Sequence, residues 1–304
     1  MKRIKIIIFL VFLGTIINNY VIGAVLFVSD KTKSNLILNY TGDKTVKKDL
    51  NKFYSTKKLG SFVEHGKTYF RLFAPDAESV TLVTFIKPED KTGTGYEMNC
   101  DSNGVWEASL NGEQYGLYYG FKVYNPKHPS SKNVICLDPY AKAVASFNTY
   151  YTPRRAIVVN EGGYDWQGDQ WIQRDWRDLI IYEMHVRDMT ADPSSGSVKP
   201  GTYEGLIEHN KTGGIDYIKS LGVNTVELLP SQEFANIEIP FKDSLNGSYN
   251  TWNPYERNYW GYMTAAFFAP ESYYSDGKLE WDRWSGANAK AVNDFKGISI
   301  FANS

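Results

Sequence analysis

The pattern of apolar and polar positions divides the chain of 304 residues into two parts with different secondary structure. Between about residues 60 and 159, short runs such as Ser79–Phe85 and Tyr118–Tyr124 alternate apolar and polar side chains and are separated by turn residues. A period of two is typical of strands with one buried face. Several short strands over about 100 residues indicate a β-sandwich. We therefore predict an immunoglobulin-like β-sandwich over residues 60–160.

The pattern changes after a Gly- and Trp-rich stretch at residues 161–176. Residues 179–186 are largely apolar, as expected for a strand that is buried on both faces. Residues 203–221 have roughly helical apolar spacing with an interruption at Gly213 and Gly214, and residues 223–230 predict another strand. Strand, helix and strand form the βα unit of a parallel sheet. Two strands alone fit a barrel and a doubly wound sheet equally well.

The last 18 residues, 287–304, begin with a helical pattern and then depart from it. Residues 287–296 predict the start of a helix with Val292 and Phe295 on one side. Residues 297–304 depart from that pattern, beginning at Gly297. We interpret this departure as a sign of a frameshift or a premature stop.

The start of the chain has the features of a signal peptide. Basic residues precede an apolar run at residues 6–17, and Gly23 and Ala24 offer a cleavage point. We therefore predict a signal peptide over residues 1–24 and a secreted or periplasmic protein. An uncleaved membrane anchor that extends to Val28 is the alternative. Residues 25–59 are rich in Lys, Asn and Thr and predict a linker or a ragged N-terminal segment.

Net charge and amino-acid composition indicate which classes of binding partner fit this chain. The net charge of −1 argues against a nucleic-acid or anionic-membrane partner, because such binding needs clustered positive charge. Aromatic residues reach 15% of the chain, which suits carbohydrate binding and is equally typical of a β-rich protein. The four His residues lack the spacing of metal ligands, so we predict no metal and no cofactor. The only two cysteines, Cys100 and Cys136, fit a disulfide or two separate thiols.

The densest aromatic motif lies at residues 258–264, which read NYWGYMT. It places the rings of Tyr259, Trp260 and Tyr262 around Gly261. A flat ring stacks on the apolar face of a pyranose, and a glycine allows close backbone approach. This motif therefore predicts a sugar-binding loop. The indole of Trp106, on an alternating strand, is a second candidate, with a core position as the stronger alternative.

Several motifs carry a resemblance to known families. Residues 70–77 (FRLFAPDA) and 138–144 (DPYAKAV) resemble the family-48 carbohydrate-binding module. Residues 179–188 (LIIYEMHVRD), 221–230 (LGVNTVELLP) and the NYWGYMT motif resemble the first two barrel strands and the following loop of glycoside hydrolase family 13 debranching enzymes, of the isoamylase and pullulanase type. The resemblance implies that residues 161–304 are the N-terminal portion of a catalytic (β/α)8 TIM barrel, which is incomplete here.

The resemblance also implies roles for particular residues. Tyr262 matches the tyrosine that stacks under the sugar before the cleaved bond, and Trp260 either supports the loop or contacts sugar. Glu183 and Glu227 match no catalytic position. The family's Asp nucleophile and Glu acid/base have no matching motif in this sequence, so they are expected beyond the C-terminus, and no catalytic residue is assigned.

The implied function is that of an α-glucan debranching hydrolase whose N-terminal half this chain forms. Its partner would be a branched α-glucan, with no nucleic acid and no integral membrane domain, and the chain alone would lack turnover. A non-catalytic α-glucan-binding protein and a fragment of a glucan branching enzyme are the alternatives.

Overall fold

The computed structural model describes residues 7–10, 52–149, 152–170, 172–236, 258–276 and 279–303. Most of the predicted signal peptide and of the predicted linker therefore lies outside the described residues. The strands, in chain order, are β1 (Ile7–Leu10), β2 (Gly60–Glu64), β3 (Lys67–Phe73), β4 (Ser79–Phe85), β5 (Thr94–Glu97), β6 (Asn99–Cys100), β7 (Val105–Asn111), β8 (Tyr118–Tyr124), β9 (Val144–Phe147), β10 (Arg154–Ile157), β11 (Ile181–Met184), β12 (Thr225–Leu228), β13 (Gln232–Phe234), β14 (Thr264–Pro270) and β15 (Trp284–Ser285). The α-helices are α1 (Asp188–Ala191), α2 (Tyr203–Leu206), α3 (Gly214–Ser220), α4 (Tyr273–Asp276) and α5 (Lys290–Asn303).

Two antiparallel sheets form the predicted β-sandwich. One has the strand order β2-β3-β7-β6, and the other has the order β15-β9-β10-β8-β4-β5. Alternate side chains of β3, β4 and β8 point inwards, since Phe70, Leu82 and Phe121 are fully buried in one shared core. The alternation seen in the sequence therefore corresponds to the inner faces of the two sheets, and the predicted sandwich is confirmed.

The segment after residue 160 packs directly on this sandwich. Strand β15 extends the larger sheet by pairing with β9, and the Tyr118 hydroxyl donates a hydrogen bond of 2.8 Å to the Ala287 carbonyl. Ala266 and Ala269 of β14 belong to the sandwich core. The predicted domain boundary near residue 160 stays a prediction, and contacts cross it at several places.

Strands β11 and β12 pair in parallel, as the βα pattern predicted. The backbone of β1 pairs in parallel with the other edge of β12, so the sheet has the order β1-β12-β11. The expectation that residues 179–186 are buried on both faces is wrong for the first half of the run. Ile180 and Ile181 are more than half exposed, whereas Met184 and Val186 are buried, because the core lies against the C-terminal end of the strand.

The predicted helix at residues 203–221 is in fact two helices, α2 and α3. At Gly213 and Gly214, where α3 begins, the backbone geometry allows only glycine. A Cβ on Gly213 would lie 2.3 Å from the Met189 carbonyl oxygen, and Gly214 has a φ of +79°. The chain therefore turns at the Gly213–Gly214 interruption instead of continuing one helix.

The last helix, α5, begins within the predicted segment 287–296 and continues through Gly297 to Asn303. A Cβ on Gly297 would meet only ordinary contacts, 3.6 Å from the Tyr164 hydroxyl. Ile298 is buried in the same core as Met184, and Phe295 packs against it. Val292 packs instead against the small cluster that contains Ile157 of the sandwich. Helix α5 thus contacts both parts of the molecule.

Two further observations concern cysteines and membrane spans. Cys100 is exposed and Cys136 is half-buried, and the structure shows no disulfide between these two described residues. Within the described ranges, none of the helices is both long enough and apolar enough to cross a membrane.

Candidate functional site

The aromatic motif forms a loop at the carboxyl ends of β11 and β12. The described part of this loop, residues 258–263, leads into β14, which pairs with β13. Two backbone hydrogen bonds close its base, from Ala235 N–H to the Met263 carbonyl and from Asn258 N–H to the Asn236 carbonyl. The carboxyl ends of parallel strands are where α/β proteins place their ligand sites. We refer to residues 258–263 as the aromatic loop.

Gly261 lets the aromatic loop lie against the strands. Its φ is +79°, and a Cβ there would lie 2.3 Å from the carbonyl oxygen of Pro230, which follows β12. The same Cβ would be 3.2 Å from the Phe234 ring. Only glycine fits both the conformation and the space, which explains why the motif has a glycine among its rings.

Tyr259 anchors the aromatic loop to residues that follow β11. Its ring stacks on His185 with centroids 5.3 Å apart, and the Arg187 guanidinium carbon lies 4.9 Å from the Tyr259 ring centroid. Its hydroxyl donates to the Asp188 carboxylate. One side chain of the loop is therefore held by three residues of the strand end, in a cation–π and hydrogen-bonded arrangement.

His185 is buried beneath the aromatic loop. Its Nε2 lies 2.9 Å from the Tyr274 hydroxyl, and its Nδ1 lies 3.3 Å from Asp188 Oδ2. Burial lowers the pKa of His185, and the nearby Asp188 carboxylate partly opposes this. The imidazole is therefore a neutral packing partner for the loop at pH 7.

Trp260 and Tyr262 face solvent while Tyr259 holds the loop. Their side chains are 51% and 43% exposed, so ring surface is open to a ligand. Trp106 is different, with 8% exposure, and its indole N–H donates a 2.9 Å hydrogen bond to the Ala74 carbonyl. This burial supports the core interpretation of Trp106. The sugar-contact roles of all three residues stay predictions.

Two fully buried carboxyl groups lie beneath the aromatic loop. Glu271 accepts hydrogen bonds from the backbone N–H groups of Phe234 (3.0 Å) and Tyr273 (2.8 Å). Glu233 accepts a 2.6 Å hydrogen bond from the Ser146 hydroxyl of the sandwich. Together, Glu233 and Glu271 connect the sandwich, β13 and the residues that follow β14.

Burial raises the pKa values of both carboxyls of this pair. Burial raises the pKa of Glu233, and burial together with the charge of Glu233 raises the pKa of Glu271 well above its usual value. Arg154 of β10 is the nearby cation and opposes the shift at Glu233. Because the charge of Glu233 raises the pKa of Glu271, the two carboxyls titrate as a pair and not independently.

Sequence reasoning missed this pair, although one signal was present. Glu233 lies next to Phe234 in an apolar context, and Glu271 follows the apolar run of β14. An acidic residue in such a context requires a buried partner. The partner could not be named, because Ser146 and Arg154 are far away along the chain.

Among the described residues, no group of three or more His, Cys, Asp or Glu side chains could hold a metal ion.

Comparison with known proteins gives a family match to the first part of the chain. Residues 58–141 match the family described as carbohydrate-binding module 48, the isoamylase N-terminal domain. The match covers most of the sandwich, from just before β2 to just before β9.

Curated relatives extend the similarity into the second part. Isoamylase SU1 from Zea mays is 32% identical over 261 residues, which is 78% of this chain and 30% of the relative. Pullulanase from Bacillus subtilis strain 168 is 29% identical over 231 residues, covering 74% of this chain and 29% of the relative. The chain thus spans about a third of the length of the curated relatives it matches.

Solved structures of pullulanases show the same similarity at the level of the fold. A pullulanase variant from Paenibacillus barengoltzii in complex with maltotriose superposes with a TM-score of 0.63 at 26% identity, covering 83% of this chain and 37% of that one. A pullulanase from Anoxybacillus sp. LM18-11 with maltotriose gives 0.59 at 28% identity, covering 83% and 33%. The chain is therefore related to glucan debranching enzymes. In particular, it corresponds to the N-terminal region of the isoamylase and pullulanase type, and the predicted resemblance is confirmed.

Proposed function

We propose that this chain is the N-terminal portion of an α-glucan debranching glycoside hydrolase, in which the aromatic loop contacts the sugar. The observation that carries the proposal is the exposure of Trp260 and Tyr262 at the carboxyl ends of two parallel strands. The module match at residues 58–141 and relatives named isoamylase, pullulanase and glycogen debranching enzyme support it.

Within this proposal, β11, α2, α3 and β12 are the first elements of a (β/α)8 barrel. The parallel pairing of β11 and β12, with helices between them in sequence, supports this assignment. So does the superposition on pullulanase structures over 83% of the chain. A barrel of this kind places its site on the loops after the strands, where the aromatic loop lies.

In this proposal, Tyr259 positions the aromatic loop, and Tyr262 and Trp260 contact the sugar. Tyr259 fixes the loop through His185 and Asp188, so Tyr262 is positioned before the ligand arrives. A pre-positioned ring costs little conformational entropy on binding. Tyr262 would stack on one sugar, and Trp260 would contact an adjacent part of the same glucan.

Cleavage of the glycosidic bond needs two further carboxyl groups. A retaining glycosidase uses a nucleophile and an acid/base about 5–5.5 Å apart. Glu233 and Glu271 do not suit these roles, because both are fully buried and hydrogen-bonded to protein groups. The expectation that neither catalytic residue is in this chain stays a prediction, as does secretion through residues 1–24.

A pair of assays tests the proposal. The purified 304-residue chain should be retarded in a native gel that contains glycogen, and it should release no reducing sugar from pullulan. Absence of retardation would contradict glucan binding. Release of reducing sugar would instead show that the catalytic carboxyls are within the chain.

A further inference from the structure

A second exposed aromatic surface lies away from the aromatic loop. Tyr140 belongs to the segment that matches the carbohydrate-binding module, and Phe268 lies on β14. Their rings are stacked, with centroids 5.3 Å apart and planes inclined by 7°. Their side chains are 38% and 58% exposed. This is the offset-stacked geometry that aromatic pairs favour, but here it is open to solvent.

Within residues 58–141, the other exposed aromatic side chains are isolated. Phe73, Tyr96 and Tyr115 have exposures similar to that of Tyr140, and no ring is stacked on any of them among the described residues. Phe62 and Tyr69 stack on each other, but Phe62 is buried. Trp106, the sugar-contact candidate that the sequence offered in the module, is also buried. Among the described residues, Tyr140 and Phe268 thus form an exposed pair of stacked rings, whereas Phe73, Tyr96 and Tyr115 stand alone.

Both rings are held on rigid backbone. The Tyr140 N–H donates to Asp138 Oδ1 at 2.8 Å, and the other oxygen of the buried Asp138 accepts from the Tyr119 hydroxyl at 2.6 Å. A Cβ built on Gly60 would lie 3.0 Å from the Tyr140 Cβ, so the segments are in close contact. Next to Phe268, Ala269 is buried in the sandwich core. The surface therefore needs little ordering when a ligand binds.

Charged residues lie near Tyr140 and Gly60 in the sequence. Lys142 follows Tyr140 by two residues and pairs with Glu161. Lys58 lies 2.8 Å from the same carboxylate and precedes Gly60. Ligand sites for sugars and other small molecules combine apolar or aromatic surface with a few polar groups that fix orientation. A hydroxyl-rich ligand fits this combination better than a purely apolar one.

We propose that Tyr140 and Phe268 form an α-glucan-binding platform, built by one ring from the sandwich and one from β14. The choice of ligand rests on the proposed function and on the module match at residues 58–141. Phe268 follows Tyr262 by six residues, and extended chain covers about 20 Å in that interval. One glucan could therefore contact both the platform and the aromatic loop.

The experiment measures retardation of the full chain in native gels with increasing glycogen. The variants Tyr140→Ala and Phe268→Ala should each raise the apparent Kd about threefold to tenfold, the range for one lost aromatic contact. Tyr140→Phe and Phe268→Tyr keep the rings and should retain wild-type affinity. Tyr115→Ala is the matched control, because Tyr115 is 40% exposed and has no stacked ring partner among the described residues.

The outcomes separate the platform from the aromatic loop. Unchanged glycogen affinity in the folded Tyr140→Ala, Phe268→Ala double variant overturns the platform, even if Tyr262→Ala weakens binding. The reverse result, with an effect of the platform variants and none of Tyr262→Ala, supports the platform and contradicts the loop. Absence of glycogen binding by the wild-type chain overturns both. Melting temperatures near that of the wild type show that the variants are folded.

Discussion

At the residue scale, two tyrosines of similar exposure differ in their contacts. Tyr259 is 42% exposed and is fixed by His185 and Asp188, whereas Tyr262, three residues later, is 43% exposed and is proposed to bind sugar. The sequence predicted that this motif is an aromatic loop around Gly261, because the composition is unusual. It could not predict which ring is the anchor, since that depends on residues after β11 that meet the loop only in the folded chain.

Trp106 illustrates the opposite case, in which pattern and structure agree on a core position. We expect Trp106→Ala to lower the free energy of unfolding by about 3–5 kcal/mol, because it removes a buried indole and its hydrogen bond to Ala74. Trp106→Phe should recover much of that loss. Urea unfolding followed by circular dichroism measures both. Lower glycogen affinity without any loss of stability would show that Trp106 contacts sugar instead.

The buried pair Glu233 and Glu271 predicts a pH dependence of stability. The folded state raises both pKa values from 4.5, so the folded protein retains a proton that the unfolded chain releases. The stabilisation is complete below about pH 4.5 and is lost as the pH rises through the folded-state pKa values. We expect the melting temperature of the wild type to fall as the pH rises above about 4.5, the unshifted pKa of both groups.

Glu233→Gln tests the origin of this fall. Glutamine can keep the hydrogen bond to Ser146 but has no proton to release, and it removes the charge that raises the pKa of Glu271. The fall in melting temperature with pH should therefore be smaller in this variant. Glu64→Gln, at an exposed residue of β2, is the control and should behave like the wild type. An equal fall in Glu233→Gln would show that other groups cause it.

At the element scale, period-two patterns predicted strands well, and the effect of a glycine on a helix was harder to predict. Strands β4 and β8 were predicted with their observed bounds, because each has one inner face that requires alternation. Gly213 and Gly214 split one predicted helix, whereas α5 runs through Gly297. The difference lies in the local conformation and contacts. Gly213 lies too close to the Met189 backbone for a Cβ, and Gly214 has a positive φ, whereas a Cβ on Gly297 would make only ordinary van der Waals contacts.

This contrast predicts opposite effects of two Gly→Ala substitutions. Gly297→Ala should raise the free energy of unfolding by about 0.5–1 kcal/mol, because alanine favours a helix and the added Cβ meets no close contact. Gly261→Ala should lower it, because φ is +79° and the Cβ would lie 2.3 Å from the Pro230 oxygen. Urea unfolding of the two variants side by side measures this. Destabilisation by Gly297→Ala would contradict the continuous α5.

At the scale of the whole molecule, the sandwich and the α/β part are joined by several independent contacts. These are the β15–β9 pairing, the alanines of β14 in the sandwich core, helix α5 across both cores, and the Glu233–Ser146 hydrogen bond. The resemblance predicted the order of the two parts along the chain. The contacts between them were not predictable, because they join residues that are distant in sequence and carry no local periodicity.

The central claim is that the aromatic loop binds α-glucan through Tyr262. Isothermal titration of the purified chain with maltohexaose tests it most directly, with Tyr217→Ala as a control, because Tyr217 on α3 is 40% exposed and Tyr262 is 43% exposed. The account predicts that Tyr262→Ala weakens the affinity about threefold to tenfold with an unchanged melting temperature, and that Tyr217→Ala changes neither. Equal affinities of Tyr262→Ala and wild type would contradict it.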